Sequence, residues 1–111
     1  MQSKSILNLS VLAAGVIAAE TFVTLAGATA TAAGEAAGVA ATDAESGDQF
    51  PVTVAGTAVV VAGGAITKGA AVEVGTGGKA VTQSAGVTVG IAVTAAAADG
   101  DRIEVLVLPS A

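Results

Sequence analysis

The chain states one pattern twice, and this constrains its fold more than any other feature. Gly38-Val39-Ala40-Ala41-Thr42, then Gly47-Asp48 and an alternating run ending Val52-Thr53-Val54, is echoed downstream. The echo is Gly90-Ile91-Ala92-Val93-Thr94, then Gly100-Asp101 and a run ending Val105-Leu106-Val107. Upstream, Ala14-Gly15-Val16-Ile17 and Val23-Thr24-Leu25 correspond to Gly63-Gly64-Ala65-Ile66 and Val72-Glu73-Val74. The offset is 49 residues between Ala14 and Gly63, 52 between Gly38 and Gly90, and 53 between Gly47 and Gly100. Such growth fits small insertions between equivalent strands. A solenoid needs at least about three repeats to bury its core, so two copies predict two similar halves of one unit. The halves are read as residues 6–56 and 57–109 of a single β-rich domain, 6–111, preceded by an N-terminal arm, 1–5.

The unit is strand, turn, strand, and no reactive side chain occurs in both copies. At 111 residues the chain makes one domain with a real but modest core. Hydrophobic residues reach 53% but aromatics only 2%, Phe22 and Phe50. The core therefore rests on Val, Ile and Leu, at about 0.8 kcal/mol per buried methylene. A thin core with many small surface residues favours an assembly component over a free monomer.

Net charge is −5, from nine acids and four bases with no His. With no basic stripe, nucleic-acid binding is not expected. Without His the chain lacks the usual general base and the commonest metal ligand. Without Cys it has no thiol nucleophile, thiolate zinc site or disulfide. No cofactor is expected, nor is a membrane partner, since no stretch reaches about eighteen uninterrupted apolar residues. Lys4 and the apolar run after it superficially resemble a secretory leader. Asn8, Ser10 and Gly15 break that run, and the repeat matches it to the chain interior, so it reads as a structural strand.

Short runs of β-branched residues between Gly turns predict a mainly β fold, a small barrel or sandwich. Expected strands are Ile6–Val11, Glu20–Leu25, Gly38–Thr42, Gln49–Val54, Thr57–Ala62, Ala71–Val74, Lys79–Thr82, Val87–Thr94 and Arg102–Leu108. Gly56 is read as ending one strand before the next. Pro51 marks an edge or bulge. Ala65–Lys68 is read as a single helical turn and Gly75–Gly78 as a hairpin loop.

Three clusters invite a chemical reading. Asp43, Glu45 and Asp48, with Asp99 and Asp101 in the matching turn, have the flavour of calcium ligands. The spacing is no EF-hand, and turns leading into strands explain it. Gly75-Thr76-Gly77-Gly78-Lys79 suggests a phosphate loop, but Ala80 follows the Lys and no helix follows. No Ser sits in a nucleophile elbow, and the carboxylates lie in turns, so an enzyme is not expected. Glu20, Glu35, Lys4, Lys68, Lys79 and Arg102 read as solvated rim charges, some of which would set register in an assembly.

Taken in order, Phe22-Val23-Thr24-Leu25-Ala26-Gly27, Gly38-Val39-Ala40, Asp43-Ala44, Gly47-Asp48, Val54-Ala55-Gly56-Thr57-Ala58, Gly63-Gly64-Ala65-Ile66, Gly69-Ala70-Ala71-Val72, Gly90-Ile91-Ala92 and Ile103-Glu104-Val105-Leu106 give the chain a second kind of signature. It resembles the capsid cement, or head decoration, proteins of tailed bacteriophages from about Ser5 to Pro109. The resemblance implies a structural virion protein, made in the host bacterial cytoplasm. It would sit on the outer surface of the capsid, bind the major capsid protein, commonly as a homotrimer, and hold neighbouring capsomers together. It further implies an arm, here within Gln2 to Leu9, that adds a strand to the capsid. The candidate contacts are Gln2, Ser3, Lys4, Ser5, Ile6 and Leu7, with Thr29 and Thr31 in the unrepeated Gly27–Gly34 loop. The rival readings are a host-binding or adhesive β domain, and a small hydrolase subunit that the missing His argues against.

Overall fold

The computed structural model describes residues 5–108. Eight strands follow one another: β1 (Ser5–Leu12), β2 (Phe22–Val23), β3 (Gly38–Ala40), β4 (Gln49–Val61), β5 (Ala71–Val74), β6 (Ala80–Thr82), β7 (Gly90–Ala92) and β8 (Arg102–Val107). They form one sheet, ordered β2-β3-β4-β8-β7-β5-β6, with β1 also paired to β4. Every strand pairing is antiparallel. The fold is mainly β and the sheet closes nearly into a barrel, as expected.

The sequence echo is a hydrogen-bond echo. Asn8–Leu12 of β1 lie opposite Thr53–Gln49 of β4, and Thr57–Val61 of β4 lie opposite Leu106–Arg102 of β8, in the same register. Phe22 faces Val39 as Ala71 faces Ile91. Ile17 and Ala44 exchange main-chain bonds of 2.8 and 2.9 Å, and Ile66 and Ala96 do so at 2.9 Å each. The Ala13 and Ala62 N–H groups donate to the Asp48 and Asp101 carbonyls, both at 2.7 Å.

The two halves share one strand. β4 runs through Gly56, whose φ of +94° only glycine adopts without strain. Gly56 thus does not end the strand, contrary to the sequence expectation. β4 gives its N-terminal part to β1 and β3 and its C-terminal part to β8. Pro51 tolerates this interior position because its carbonyl accepts from Ala41, one residue past the end of β3. Its missing donor faces the same gap. Other expected strands shrink: Glu20–Leu25 to Phe22–Val23, and Val87–Thr94 to Gly90–Ala92. Ala65–Lys68 forms no helical turn, because Ile66 bridges Ala96 instead. A short 3₁₀ turn lies at Thr76–Gly78, inside the expected hairpin loop between β5 and β6.

Each half encloses a cluster. Val11, Ala13, Ile17, Val23, Ala40, Ala44, Phe50, Val52 and Val54 fill the first lobe. Their equivalents, Val60, Ala62, Ile66, Val72, Ala92, Ala96, Ile103, Val105 and Val107, all lie in the second cluster. That cluster also takes Phe22, Ala30, Ala36 and Val39 from the first half, which joins the lobes. Strand alternation sends Val23 and Ala40 into one cluster and their neighbours Phe22 and Val39 into the other.

The repeated glycines Gly38 and Gly90 are fixed by close approach. A Cβ at Gly38 would collide with the Thr53 carbonyl, and one at Gly90 with the Val105 side chain and the Leu106 carbonyl, 2.8 Å away. Gly90→Ala should therefore destabilise the fold by about 1–3 kcal/mol through overpacking. Phe22→Ala should cost more, about 3–5 kcal/mol, by leaving a cavity between the lobes. Urea unfolding of both variants measures these losses.

Candidate docking surfaces

Of the carboxylates singled out in the sequence, Asp48 and Asp101 close turns, Asp43 ties down a distant segment and Asp99 forms an ion pair. Asp43 accepts from the Ala19 N–H at 2.7 Å, and Asp48 from the Glu45 N–H at 3.1 Å. Asp101, equivalent to Asp48, accepts from the Ala97 and Ala98 N–H groups at 2.8 and 3.1 Å. Among the described residues, no three acidic groups come together to hold a metal ion. Lys79 pairs with Asp99 at 3.0 Å, so the glycine-rich hairpin ends in a surface ion pair.

Two acids do more than the sequence indicated. Glu73 is buried and accepts from the Ser84 and Gly86 N–H groups at 2.5 and 3.2 Å, pinning the segment before β7 to β5. Glu20 receives a two-pronged contact from the Arg102 guanidinium, Nε to Oε1 and Nη2 to Oε2. The hydrogen bond to Glu20, followed by its charge, raises the Arg102 pKa above its already high value. The pair ties the lobes together beside the bond from Val61 N–H to the Glu20 carbonyl, 3.0 Å. These roles were invisible in the sequence because Glu20 and Arg102 stand 82 positions apart.

The candidate contacts fall on two elements. Gln2, Ser3 and Lys4 lie outside the described residues. Ser5 and Ile6 open β1, where Ser5 pairs with Gly56, and Leu7 pairs with Ala55 across a register shift. Leu7 is half exposed. Thus the part of the expected arm from Ser5 to Leu9 is paired to β4 in this structure. Thr31 is exposed, whereas Thr29 is half-buried and bridged to Val23. Its neighbour Ala30 is buried in the second cluster, and Ala33 N–H donates to the Val74 carbonyl at 2.7 Å. The unrepeated loop therefore spends one side on the join between lobes.

Sequence reasoning placed Leu9 in the arm but missed the exposed leucines beyond it. Leu9, Leu12 and Leu25 surface on the first lobe, and Leu106 and Leu108 on the second. Their signal lay in the repeat itself: Leu12 and Leu25 stand where the second copy has the smaller Val61 and Val74. A groove of about 170 Å³ between the lobes is lined by Glu20, Val39, Thr53, Ala58 and Val59.

The sequence profile of the phage cement proteins matches residues 1–107. The chain belongs to the phage cement protein family. Among solved structures, this cement protein is similar to the N base of the head fiber gp8.5 of bacteriophage phi29. The two share 20% identity at a TM-score of 0.74 over 92% of this chain and 93% of that one, which is a likeness of fold. No curated protein matches it. Membership makes it a capsid-associated structural virion protein.

The turn assignment makes a direct prediction. Asp101→Ala should cost about 1 kcal/mol of stability by stranding two N–H groups. Millimolar calcium should leave the thermal midpoint of the wild-type chain unmoved, as read by calorimetry.

Proposed function

We propose that this cement protein binds the outer surface of the major capsid protein lattice and stabilises the phage head, acting as a homotrimer and without catalysis. The observation that carries the reading is the family match over nearly the whole chain. The fold likeness to a head fiber base supports a place on the outside of the head. Physical features agree. Carboxylates are committed to turns and to the join between lobes, and large apolar side chains stand on the surface. Many copies on a lattice turn modest contacts into a strong hold, so no single deep pocket is required.

In this proposal residues 1–4 and the start of β1, with Leu7, meet the capsid together with Thr31 and the exposed rim of its loop. Neither nucleic acid nor membrane is a partner, and the protein is made in the host cytoplasm before joining the head. The rival, an adhesive domain displayed on the virion, predicts binding to host cells rather than to shells.

Purified shells lacking the protein separate the two. The cement reading expects the chain to co-sediment with them and to raise the temperature at which they rupture. A chain left in the supernatant, with shell rupture unchanged, overturns it. Deleting residues 1–4 should weaken shell binding while leaving the circular dichroism spectrum intact, and undiminished binding rejects the arm.

A further inference from the structure

The join between the lobes has two sides, and each side recurs, uncovered, on the other lobe. The first lobe offers Phe22, Val39 and Thr53, aligned across β2, β3 and β4 and all buried. The second lobe receives with Ala58 and Val74, also buried, and with two main-chain groups. Val61 N–H donates to the Glu20 carbonyl at 3.0 Å, and the Val74 carbonyl accepts from Ala33 at 2.7 Å.

Shifting by the repeat gives the free counterparts. The receiving residues Ala58, Val61 and Val74 correspond to Leu9, Leu12 and Leu25, which are 40%, 57% and 55% exposed. The offering residues Phe22, Val39 and Thr53 correspond to Ala71, Ile91 and Leu106, aligned in the same way across β5, β7 and β8. Ala71 and Ile91 are partly exposed, and Leu106 is 40% exposed. The chain thus carries one unmatched receiving face and one unmatched offering face. Both are apolar, and they are complementary by the same geometry that already joins the lobes.

The receiving face is also an open edge. Among the named strands β1 pairs with β4 alone, and Ser5–Leu12 carries no charge. Monomeric proteins commonly guard such an edge with Lys, Pro or a bulge that turns it away. In the second lobe the equivalent edge is covered at Val61 by Glu20 of the first.

We propose that a second copy of this chain covers it: the Ala71–Ile91–Leu106 face of one copy packs on Leu9 and Leu25 of the next, along the main-chain edge at Leu12. The inference rests on the self-association proposed above and specifies its interface. The contact is heterologous, head to tail, so copies join in a closed ring or an open chain and not as an isologous pair.

The chain has no cysteine, which makes the contact easy to trap. Val61 and Glu20 adjoin in the lobe join, so their equivalents Leu12 and Gly69 should adjoin between copies. Gly69 has φ +87° with open space where a Cβ would stand, and Glu20 adopts +65° at the matching position, so a side chain has room there at some backbone strain. Mild oxidation of the Leu12→Cys/Gly69→Cys chain should give a ladder of covalent oligomers on a non-reducing gel. An equal mixture of the two single variants should give dimers only, and each single variant alone should give none. In parallel, Leu106→Glu, a change at an exposed position, should weaken association about tenfold or more by sedimentation equilibrium.

Three results would overturn the proposal. One is a chain that stays monomeric at its highest soluble concentration. Another is an assembly that stops at two copies. The third is a defined oligomer that neither cross-links through Leu12 and Gly69 nor weakens with Leu106→Glu. That last result would leave self-association standing and remove only this interface, and shell co-sedimentation reports the capsid contact separately.

Discussion

The structure depends on burying both faces of two very short strands. β2 has two residues and β3 three, too few to persist unless packed on both sides. Their alternation serves two clusters at once. Val23 and Ala40 close the first lobe, while Phe22 and Val39 enter the second. Neither lobe is independent, because taking away the second would expose Phe22, the largest side chain at the join. β4 makes the same commitment in the backbone, contributing to the first lobe before Gly56 and to the second after it.

Much of this was legible because the repeat is geometric. The shared positions are residues that a turn or a close approach demands, such as Gly38 and Gly90 beside a neighbouring carbonyl, or Asp48 and Asp101 closing a turn. In the last strand Ile103, Val105 and Val107 alternate with Arg102, Glu104 and Leu106, and the first three are the ones that lie inside. The join between lobes was not legible. A strand buried on both faces loses its period of two, so Phe22-Val23 and Gly38-Val39-Ala40 look like generic apolar runs. Gly56 read as a stop because local propensity disfavours glycine in strands, and partners on either side of β4 overrode that preference. Docking candidates in the Gly27–Gly34 loop were chosen for being unrepeated, but that loop is unrepeated partly because only the first lobe needs an element to reach across.

The polar groups are largely spent on holding the chain in shape. A catalytic carboxylate needs freedom to exchange a proton in a shielded site. Here Asp43, Asp48, Asp101 and Glu73 each spend oxygen lone pairs on backbone N–H groups, and Glu20 spends both oxygens on Arg102. Such bonds make a small chain rigid where aromatic packing and cross-links are missing. A rigid scaffold with small side chains also loses little conformational entropy when it docks.

The two copies differ most where their surroundings differ, and that asymmetry carries the strongest argument about what covers the surface. Inside the molecule Ala58 and Val74 share a cluster with Phe22 and Val39, and Val61 meets Glu20 through its main chain. On the outside the same positions hold Leu9, Leu12 and Leu25. Were this face meant for water, the repeat would be expected to diverge towards charge, as Lys68 did where the first copy has Ala19. It diverged towards larger apolar side chains instead. Opposite them in the proposed contact, Phe22 is replaced by Ala71. Ile91 and Leu106 in turn are larger than the Val39 and Thr53 they replace, so apolar bulk grows on both sides of the proposed contact. Apolar bulk gained on both faces is expected where the two pack together, and solvation alone would not produce it.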